Sequence, residues 1–471
     1  MKQTLLALVI ALASVTAWGQ ESKTGDSRIT GQWNGALSVQ GIQLRLVFHI
    51  TQTATGYSAT MDSPDQGAAG IPVTTVSFEN QVLKMSVTNA GIEYEGTFGQ
   101  DDVITGTFKQ MGQTFPLNLS RKTLEKETLI RPQEPAKPYP YREGEVSFEN
   151  AEAGIRLAGT LTLPEKGDAF PAVILISGSG AQNRDEELMG HKPFLVIADH
   201  LTRNGIAVLR FDDRGTASST GDFSTATSLD FSKDVEAALR YLQTRKEINP
   251  QKIGLIGHSE GGVIAPMLAA RSTDVAFIVL LAGTGVPGDR LLLSQQEAMY
   301  TASGMDTSEW KSLKATNEKA FEMLVQSNDP KQLKNDLVAY LKQSLKDYPE
   351  QKQGMSEEQF IQSSVIQLTR PWMIYFIKYD PASALEKTKC PVLALNGDKD
   401  LQVPAKENLE AIRAALTKGG NKQVTIKTLP GLNHLFQECT TGLPAEYPTI
   451  EQTFSPVALK EMSQWINLQT K

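Results

Sequence analysis

The stretch Lys252-Ile253-Gly254-Leu255-Ile256-Gly257-His258-Ser259-Glu260-Gly261-Gly262-Val263 decides the fold. Its first five residues form a short apolar segment that is typical of a buried strand, and the residues after Gly261 are small or favour a helix. A serine between a strand and a helix, with a glycine two residues away on each side, matches a nucleophile elbow. The glycines relieve the crowding of so tight a turn. The stretch therefore predicts a serine hydroxyl presented at the end of a sheet, where the helix N-terminus favours developing negative charge. The alternative is a glycine-rich turn whose serine only caps the helix.

The chain as a whole has the composition of a soluble globular protein. With 471 residues it is long enough for two domains. Hydrophobic residues make up 40% and charged residues 21%, which are ordinary values for such proteins. The formal net charge of −7 and the lack of a basic stripe argue against a nucleic-acid partner.

The first residues have the pattern of a signal peptide. Lys2 supplies a positive charge, Leu5 to Ala13 form a short apolar core, and Ala17-Trp18-Gly19 offers small residues for cleavage. We therefore expect residues 1–19 to be removed and the protein to be exported, to a periplasm or outside the cell. The apolar core is too short to span a bilayer, so we expect no membrane anchor. Two cysteines, Cys390 and Cys439, are available for a disulfide in that compartment, and the sequence leaves their pairing open.

Residues 28–122 differ in pattern from everything that follows. Alternating apolar and polar segments recur about every ten residues and are separated by turn residues. This pattern predicts an antiparallel β domain, either a barrel or a sandwich. It could be a ligand cup or a packed structural module. Residues 123–144 form a linker in which four prolines fall within ten residues, 131–140.

From residue 145 to 471, strand-like and helix-like segments alternate, which predicts a doubly wound, mostly parallel α/β sheet. The strand-like segments are Ala172–Ile176, Ala207–Phe211, Ile253–Ile256, Phe277–Leu281, Val392–Leu395 and Val424–Thr428. The helix-like segments are Pro193–Arg203, Ser228–Arg245, Gly262–Arg271, Ala405–Leu416 and Pro456–Leu468. Between about 287 and 387 the alternation gives way to helical sequence, which predicts a cap inserted over the working end of the sheet.

A nucleophilic serine needs a histidine as base and a carboxylate that orients it. Of the five histidines, His434 alone follows Ser259 by more than a turn, in the loop after the last predicted strand. The acid is expected in the loop after the preceding strand, which holds Asp398 and Asp400. We choose Asp400, with Asp398 as the alternative, because Gly397 and a lysine suggest a turn that carries the chain outward before the second aspartate.

An oxyanion site needs two backbone N–H groups. One is expected from Glu260, directly after the serine. The other is expected from the flexible loop Ser177-Gly178-Ser179-Gly180, with Ser179 preferred and Gly180 second.

Together these segments resemble the α/β-hydrolase superfamily, and specifically secreted or periplasmic serine esterases with a helical cap. The resemblance covers about two-thirds of the chain and rests on Ser177-Gly178-Ser179-Gly180 with Asn183-Arg184-Asp185, Phe211-Asp212-Asp213-Arg214-Gly215, Gly257-His258-Ser259-Glu260-Gly261-Gly262, Gly397-Asp398-Lys399-Asp400 and Asn433-His434. It implies Ser259 as nucleophile, Asp400 and His434 as its partners, and Ser179 with Glu260 as oxyanion donors. The first loop departs from the commoner His-Gly start, so its assignment is less direct.

The expected reaction is hydrolysis of small carboxylic esters with short to medium acyl chains, without a metal or organic cofactor. Gly178, Gly180, Trp372 and Tyr375 are candidates for the substrate pocket, although the aromatic pair could instead pack within the cap. A serine peptidase or aminopeptidase of the same fold is the alternative, and it would need a carboxylate in the cap, such as Glu357 or Glu358. A non-catalytic ligand-binding or scaffold protein is the alternative from another class. The oligomeric state is left open.

Overall fold

A computed structural model describes residues 26–39, 42–66, 68–110, 113–125, 131–304, 307–349 and 356–471. The predicted signal peptide, residues 1–19, lies outside the described residues, as does part of the predicted linker, 126–130. The chain divides into two compact units: Met1–Ser38 with Gln43–Lys126, and Val39–Ile42 with Glu127–Lys471.

The first unit is an antiparallel β domain, as the period of two predicted. Its strands are β1 (Gly31–Val39), β2 (Ile42–Thr53), β3 (Gly56–Ser63), β4 (Ala68–Pro72), β5 (Thr75–Glu79), β6 (Val82–Val87), β7 (Ile92–Phe98), β8 (Val103–Gln110), β9 (Gln113–Pro116) and β10 (Leu119–Ser120). They form one sheet in the order β4-β3-β2-β1-β10-β8-β7-β6-β5, with β9 paired to β8. The sheet curls into a half-barrel rather than closing.

Alternating burial gives this sheet its core. Along β7 every second residue is buried and the others are exposed, because successive side chains of a strand point to opposite faces. The fully buried Trp33 packs edge-on against Phe98, with ring centroids 6.0 Å apart. Each aromatic side chain of this kind buries a large apolar area.

The second unit contains an eight-stranded sheet. Its strands are β11 (Tyr141–Asn150), β12 (Ile155–Pro164), β13 (Phe170–Ile176), β14 (Ala207–Phe211), β15 (Ile248–His258), β16 (Phe277–Leu281), β17 (Val392–Gly397) and β18 (Val424–Leu429). They lie in the order β11-β12-β14-β13-β15-β16-β17-β18. The six strands from β14 to β18 in this order are parallel, whereas β11 and β12 are antiparallel additions. The predicted mostly parallel sheet is confirmed.

Helices cover both faces of this sheet. They are α1 (Pro193–Arg203), α2 (Ser228–Gln243), α3 (Gly261–Ala269), α10 (Ala405–Lys418) and α11 (Pro456–Gln469). The apolar residues of α2, α3 and α10 pack in one core, and those of α1 and α11 pack in another. The parallel strands other than the edge strand β18 are buried on both sides, which explains why they are continuous apolar segments in the sequence.

The predicted helical insertion lies between β16 and β17. Its helices are α4 (Gly288–Ser303), α5 (Thr307–Gln326), α6 (Pro330–Asp347), α7 (Glu357–Leu368), α8 (Pro371–Lys378) and α9 (Ala382–Leu385). The insertion has its own apolar core, which includes Phe321, Leu337 and Ile377. A second, smaller cluster joins Leu291 and Phe376 of the insertion to Val403, which precedes α10.

Within the part of the chain that the structure describes, no helix is long and apolar enough to cross a membrane. Both cysteines, Cys390 and Cys439, are free thiols and form no disulfide.

Candidate active site

Ser259 stands at the apex of the turn between β15 and α3, with a φ of +53°. This is the left-handed region, in which a residue other than glycine is strained. Gly257 and Gly261 make the turn possible. A Cβ at Gly257 would lie 2.0 Å from the carbonyl oxygen of Gly261, and one at Gly261 would lie 2.2 Å from that of Ile176. The two glycines are therefore required by close backbone approach, which is the physical reason for their spacing around Ser259.

Asp400 and His434 meet, although 34 positions separate them in the chain. The Nδ1 of His434 lies 2.8 Å from Oδ2 of Asp400, and both side chains are buried. The other oxygen, Oδ1, accepts the backbone N–H groups of Gln402 at 2.8 Å and Val403 at 2.9 Å. Three donors thus hold the Asp400 carboxylate in place, and the carboxylate in turn orients the His434 imidazole.

Asp398, the alternative acid, is used differently. Its Oδ1 accepts the backbone N–H of Gly431 at 2.6 Å and so holds the start of the loop that carries His434. The structure therefore places Asp400, and not Asp398, against the histidine.

One cavity of about 220 Å³ brings the predicted reacting groups together. Ser259 and His434 line it, together with Ser179 and Glu260, the predicted oxyanion donors. Within the described residues, neither the Ser179 nor the Glu260 backbone N–H donates to a protein acceptor. The two N–H groups are thus available to an oxygen bound in the cavity.

Of the four residues predicted for the substrate pocket, Gly178 and Trp372 line this cavity, and Gly180 and Tyr375 do not. Gly180 borders a separate cavity of about 20 Å³. Trp372 and Phe376 are four residues apart on α8, so they share one helix face, and their rings stack with centroids 5.0 Å apart. Tyr375 stacks on Tyr379 instead, with centroids 5.6 Å apart. Phe376 therefore takes the place that the sequence assigned to Tyr375.

The Glu260 side chain is a buried carboxyl directly after Ser259. Its Oε1 accepts the Ser228 hydroxyl at 2.6 Å and the indole N–H of Trp372 at 2.7 Å. Burial raises the pKa of Glu260 above its ordinary value, and hydrogen bonds from these two donors and from the Ser179 side chain oppose the shift. The hydrogen bond from Trp372 also connects α8 of the insertion to the turn that carries Ser259.

The two aspartates of the loop after β14 hold the loop after β13. Asp212 accepts two hydrogen bonds from the guanidinium of Arg184, at 3.1 and 2.8 Å. Asp213 accepts the Ser177 hydroxyl and the backbone N–H of Gln182, both at 2.9 Å. Burial raises the pKa of Asp213 to about 8. These carboxyl groups hold the loop that contains Ser179.

Sequence reasoning missed two residues of this site, Glu186 and His258. Both line the cavity, and the Nδ1 of His258 lies 2.9 Å from Oε1 of Glu186. His258 lies inside the elbow motif, but nothing in the sequence distinguishes Glu186 from its acidic neighbours Asp185 and Glu187. Among the described residues, no group of three or more His, Cys, Asp or Glu is placed to hold a metal ion.

A doubly wound sheet with a strained serine after β15, a carboxylate–histidine pair beyond β17 and β18, and a helical insertion defines an α/β-hydrolase. The family model described as Hydrolase_4, serine aminopeptidase S33, matches residues 192–438. This is more than half of the 471 residues, so the chain belongs to that family.

Individual relatives are more distant. Esterase EstD of Thermotoga maritima is 25% identical over 292 residues, which cover 61% of this chain and 60% of EstD. The chain thus matches less than two-thirds of the length of that relative. An uncharacterized 31.7 kDa protein of Escherichia coli, from the traX-finO intergenic region, is 24% identical over 266 residues, which cover 56% of this chain and 84% of that protein.

Solved structures of the same class align with about 70% of the chain. The α/β-hydrolase GrgF from Penicillium sp. sh18 aligns with 70% of this chain and 99% of its own, at 14% identity and a TM-score of 0.43. The Pyrococcus furiosus esterase PF2001 aligns with 71% of this chain and 92% of its own, at 14% identity and a TM-score of 0.42.

Proposed function

We propose that the protein hydrolyses small carboxylic esters with short to medium acyl chains, through an acyl-enzyme on Ser259. The observation that carries this proposal is the Asp400–His434 contact of 2.8 Å, with His434 and Ser259 lining one cavity. The strained turn at Ser259 supports it, because such a turn presents the hydroxyl to a bound substrate.

In the proposed mechanism, the Ser259 oxygen attacks the ester carbonyl carbon and His434 accepts the hydroxyl proton at Nε2. The Ser179 and Glu260 N–H groups stabilise the oxyanion, each by about 3 kcal/mol. Collapse of the tetrahedral intermediate breaks the bond to the alkoxy oxygen, which takes the proton from His434 and leaves as an alcohol. Water then attacks the acyl-enzyme with His434 again as base, and releases the acid and free Ser259.

The lining of the cavity supports an ester of a neutral acid over a free amine substrate. Leu291, Leu292, Trp372, Phe376 and Val403 supply an apolar wall, which suits an acyl chain. An aminopeptidase needs a carboxylate free to bind the amine. Among the described residues, the carboxyl groups in the cavity wall are Glu186 and Glu260, and both are already hydrogen-bonded within the protein.

The cap glutamates that could serve an aminopeptidase do not reach the cavity. Glu357 and Glu358 are exposed in the first turn of α7 and are absent from the lining. The apolar wall and the engaged carboxyl groups therefore favour the ester over the amide.

The test is a substrate panel with a matched pair of serine variants. Wild-type protein, Ser259→Ala and Ser224→Ala are assayed on nitrophenyl esters of increasing chain length and on aminoacyl anilides. Ser224 is exposed and distant in the sequence from the elbow, so its replacement controls for the loss of a serine hydroxyl. We expect Ser259→Ala to lower kcat on esters by about a million-fold.

The panel also separates the alternatives. Turnover of anilides in preference to esters would establish the peptidase instead. Binding of esters without turnover by any variant would favour the scaffold protein. Equal rates in wild type and Ser259→Ala would refute Ser259 as the nucleophile.

A further inference from the structure

His258 is a buried histidine beside the nucleophile that the proposed mechanism does not use. Its Nδ1 lies 2.9 Å from Oε1 of Glu186, and its Nε2 lies 3.0 Å from the backbone carbonyl oxygen of His434. The His258 and His434 rings are 4.8 Å apart between centroids. The His258 and Glu186 side chains are 8% and 6% exposed, so solvent hardly competes for either contact.

These partners determine the protonation of His258. A carbonyl oxygen can only accept, so Nε2 must carry a proton to bond to His434. Oε1 of Glu186 accepts the backbone N–H of Gly178 at 2.7 Å, a hydrogen bond that favours the ionised carboxylate. An ionised Oε1 can only accept from Nδ1. With both ring nitrogens donating, His258 is an imidazolium paired with a carboxylate. Burial opposes this charge most strongly, but Glu186, the His434 carbonyl and Asp400 together outweigh it and raise the pKa of His258.

Glu186 connects this imidazolium to the predicted oxyanion loop. The Gly178 N–H that it holds belongs to the residue before Ser179. Gly178 is closely packed there: a Cβ would lie 3.2 Å from the Cβ of Ser259 and 3.4 Å from Oε1 of Glu186. Glu186 itself has a φ of +50°, a strained conformation that persists only where the surroundings enforce it. A small displacement of the carboxylate would therefore move the loop against the nucleophile.

We propose that Glu186 and His258 form a buried ion pair that positions both halves of the active site, the oxyanion loop through Gly178 and the base through the His434 carbonyl. The pair acts through these groups and does not touch the reacting atoms. The proposal rests on the function proposed above for Ser259 and His434.

The kinetic test replaces the charge and keeps the shape. Glu186→Gln retains an Oε1 that can accept from Gly178 but no longer stabilises an imidazolium. Glu187→Gln is the matched control, because Glu187 is the exposed neighbour in the sequence. We expect Glu186→Gln to lower kcat about 10- to 100-fold with KM changed less than about twofold, since a misplacement of about 1 Å can lower a rate about 100-fold. We expect Glu187→Gln to match wild type and Glu186→Asp to recover part of the loss.

A second kinetic result separates positioning from mere stability. Rates are divided by the concentration of active sites, titrated with an organophosphonate, so that unfolded protein does not count. We expect His258→Gln and the Glu186→Gln/His258→Gln double variant to be impaired equally, because two residues that act as a unit are not additive. Rates per active site equal to wild type in Glu186→Gln would overturn the proposal.

A spectroscopic test does not depend on activity. In protein labelled with ¹⁵N-histidine at about pH 8, where an ordinary histidine is neutral, we expect one imidazole with both nitrogens protonated. The signal should persist in the inactive Ser259→Ala and in Glu187→Gln, and disappear in Glu186→Gln and His258→Gln. Absence of a cationic imidazole in wild type would overturn the ion pair even if every variant failed to fold. Retained turnover in Ser259→Ala would instead refute the proposed function and leave the ion pair standing.

Discussion

Replacing Asp400 by Asn should redirect one proton in the proposed triad. In the native site Oδ1 accepts two backbone N–H groups, from Gln402 and Val403, and Oδ2 faces Nδ1 of His434 at 2.8 Å. The amide of Asn must keep its oxygen toward the two backbone donors, because an NH₂ group there would oppose two N–H groups. Its NH₂ therefore takes the Oδ2 position and donates to Nδ1.

The magnitude follows from the tautomer. Once Nδ1 accepts, the single proton of the neutral ring of His434 moves to Nε2, which can no longer take the proton of Ser259. Loss of the correct tautomer lowers kcat about 10⁴-fold in triads of this kind, equivalent to about 5.5 kcal/mol in the barrier. Stability should change by less than about 1 kcal/mol, since each hydrogen bond of the side chain is replaced.

The assay measures kcat on a nitrophenyl ester and the free energy of unfolding in urea, for wild type, Asp400→Asn and Asp398→Asn. Asp398 is the matched control: it lies in the same loop and accepts the Gly431 N–H, but it does not contact His434. Its variant should keep kcat within a few-fold of wild type. Asp400→Asn with more than a tenth of wild-type kcat, or a larger loss in Asp398→Asn, would refute the assignment.

Two further predictions concern packing and pH. Gly178→Ala places a Cβ 3.2 Å from the Cβ of Ser259. We expect kcat per active site to fall about tenfold with little change in KM. An unchanged kcat would show that the loop accommodates the extra methyl group without displacing Ser259. Burial lowers the pKa of His191 to about 4, so on acidification the unfolded chain takes up a proton on this histidine at a higher pH than the folded chain does. The free energy of unfolding should therefore fall by about 3 kcal/mol in total as the pH drops from about 6.5 to about 4. Urea unfolding should show this slope in wild type and a flatter one in His191→Gln, and equal slopes would contradict the prediction.

The parallel sheet was predictable because its strands, apart from the edge strand β18, are buried on both faces and are therefore short apolar segments in the sequence. The helix that the sequence predicts over Pro193–Arg203 has the same limits in the structure, since Pro193 starts it and its apolar face is regular. The curled sheet of the first unit was predictable as antiparallel from its alternation. Whether it closes depends on strand pairing between distant segments, which no local pattern encodes.

The pocket was less predictable than the turn that carries Ser259. Trp372, Tyr375 and Phe376 are close together in the sequence. Which of them faces the cavity depends on where α8 begins and on the rotation of the helix about its own axis. Because residues four apart share one face of a helix, Trp372 and Phe376 both line the cavity, whereas Tyr375 packs against Tyr379. Glu186 could not be found at all, because its role comes from contacts with residues 8 and 72 positions away.

The carboxyl groups around Ser259 must be compatible with the negative charge that the proposed reaction develops there. An oxyanion gains stability from N–H donors only if no uncompensated negative charge faces it. Burial raises the pKa of Glu260 and brings that of Asp213 to about 8, which favours their neutral forms. Glu186 is instead offset by the His258 imidazolium, and Asp400 by three donors. Each of these four carboxyl groups thus either has a raised pKa or is compensated by hydrogen-bond donors or a cation. It can therefore hold a loop in place without opposing the charge that develops at Ser259.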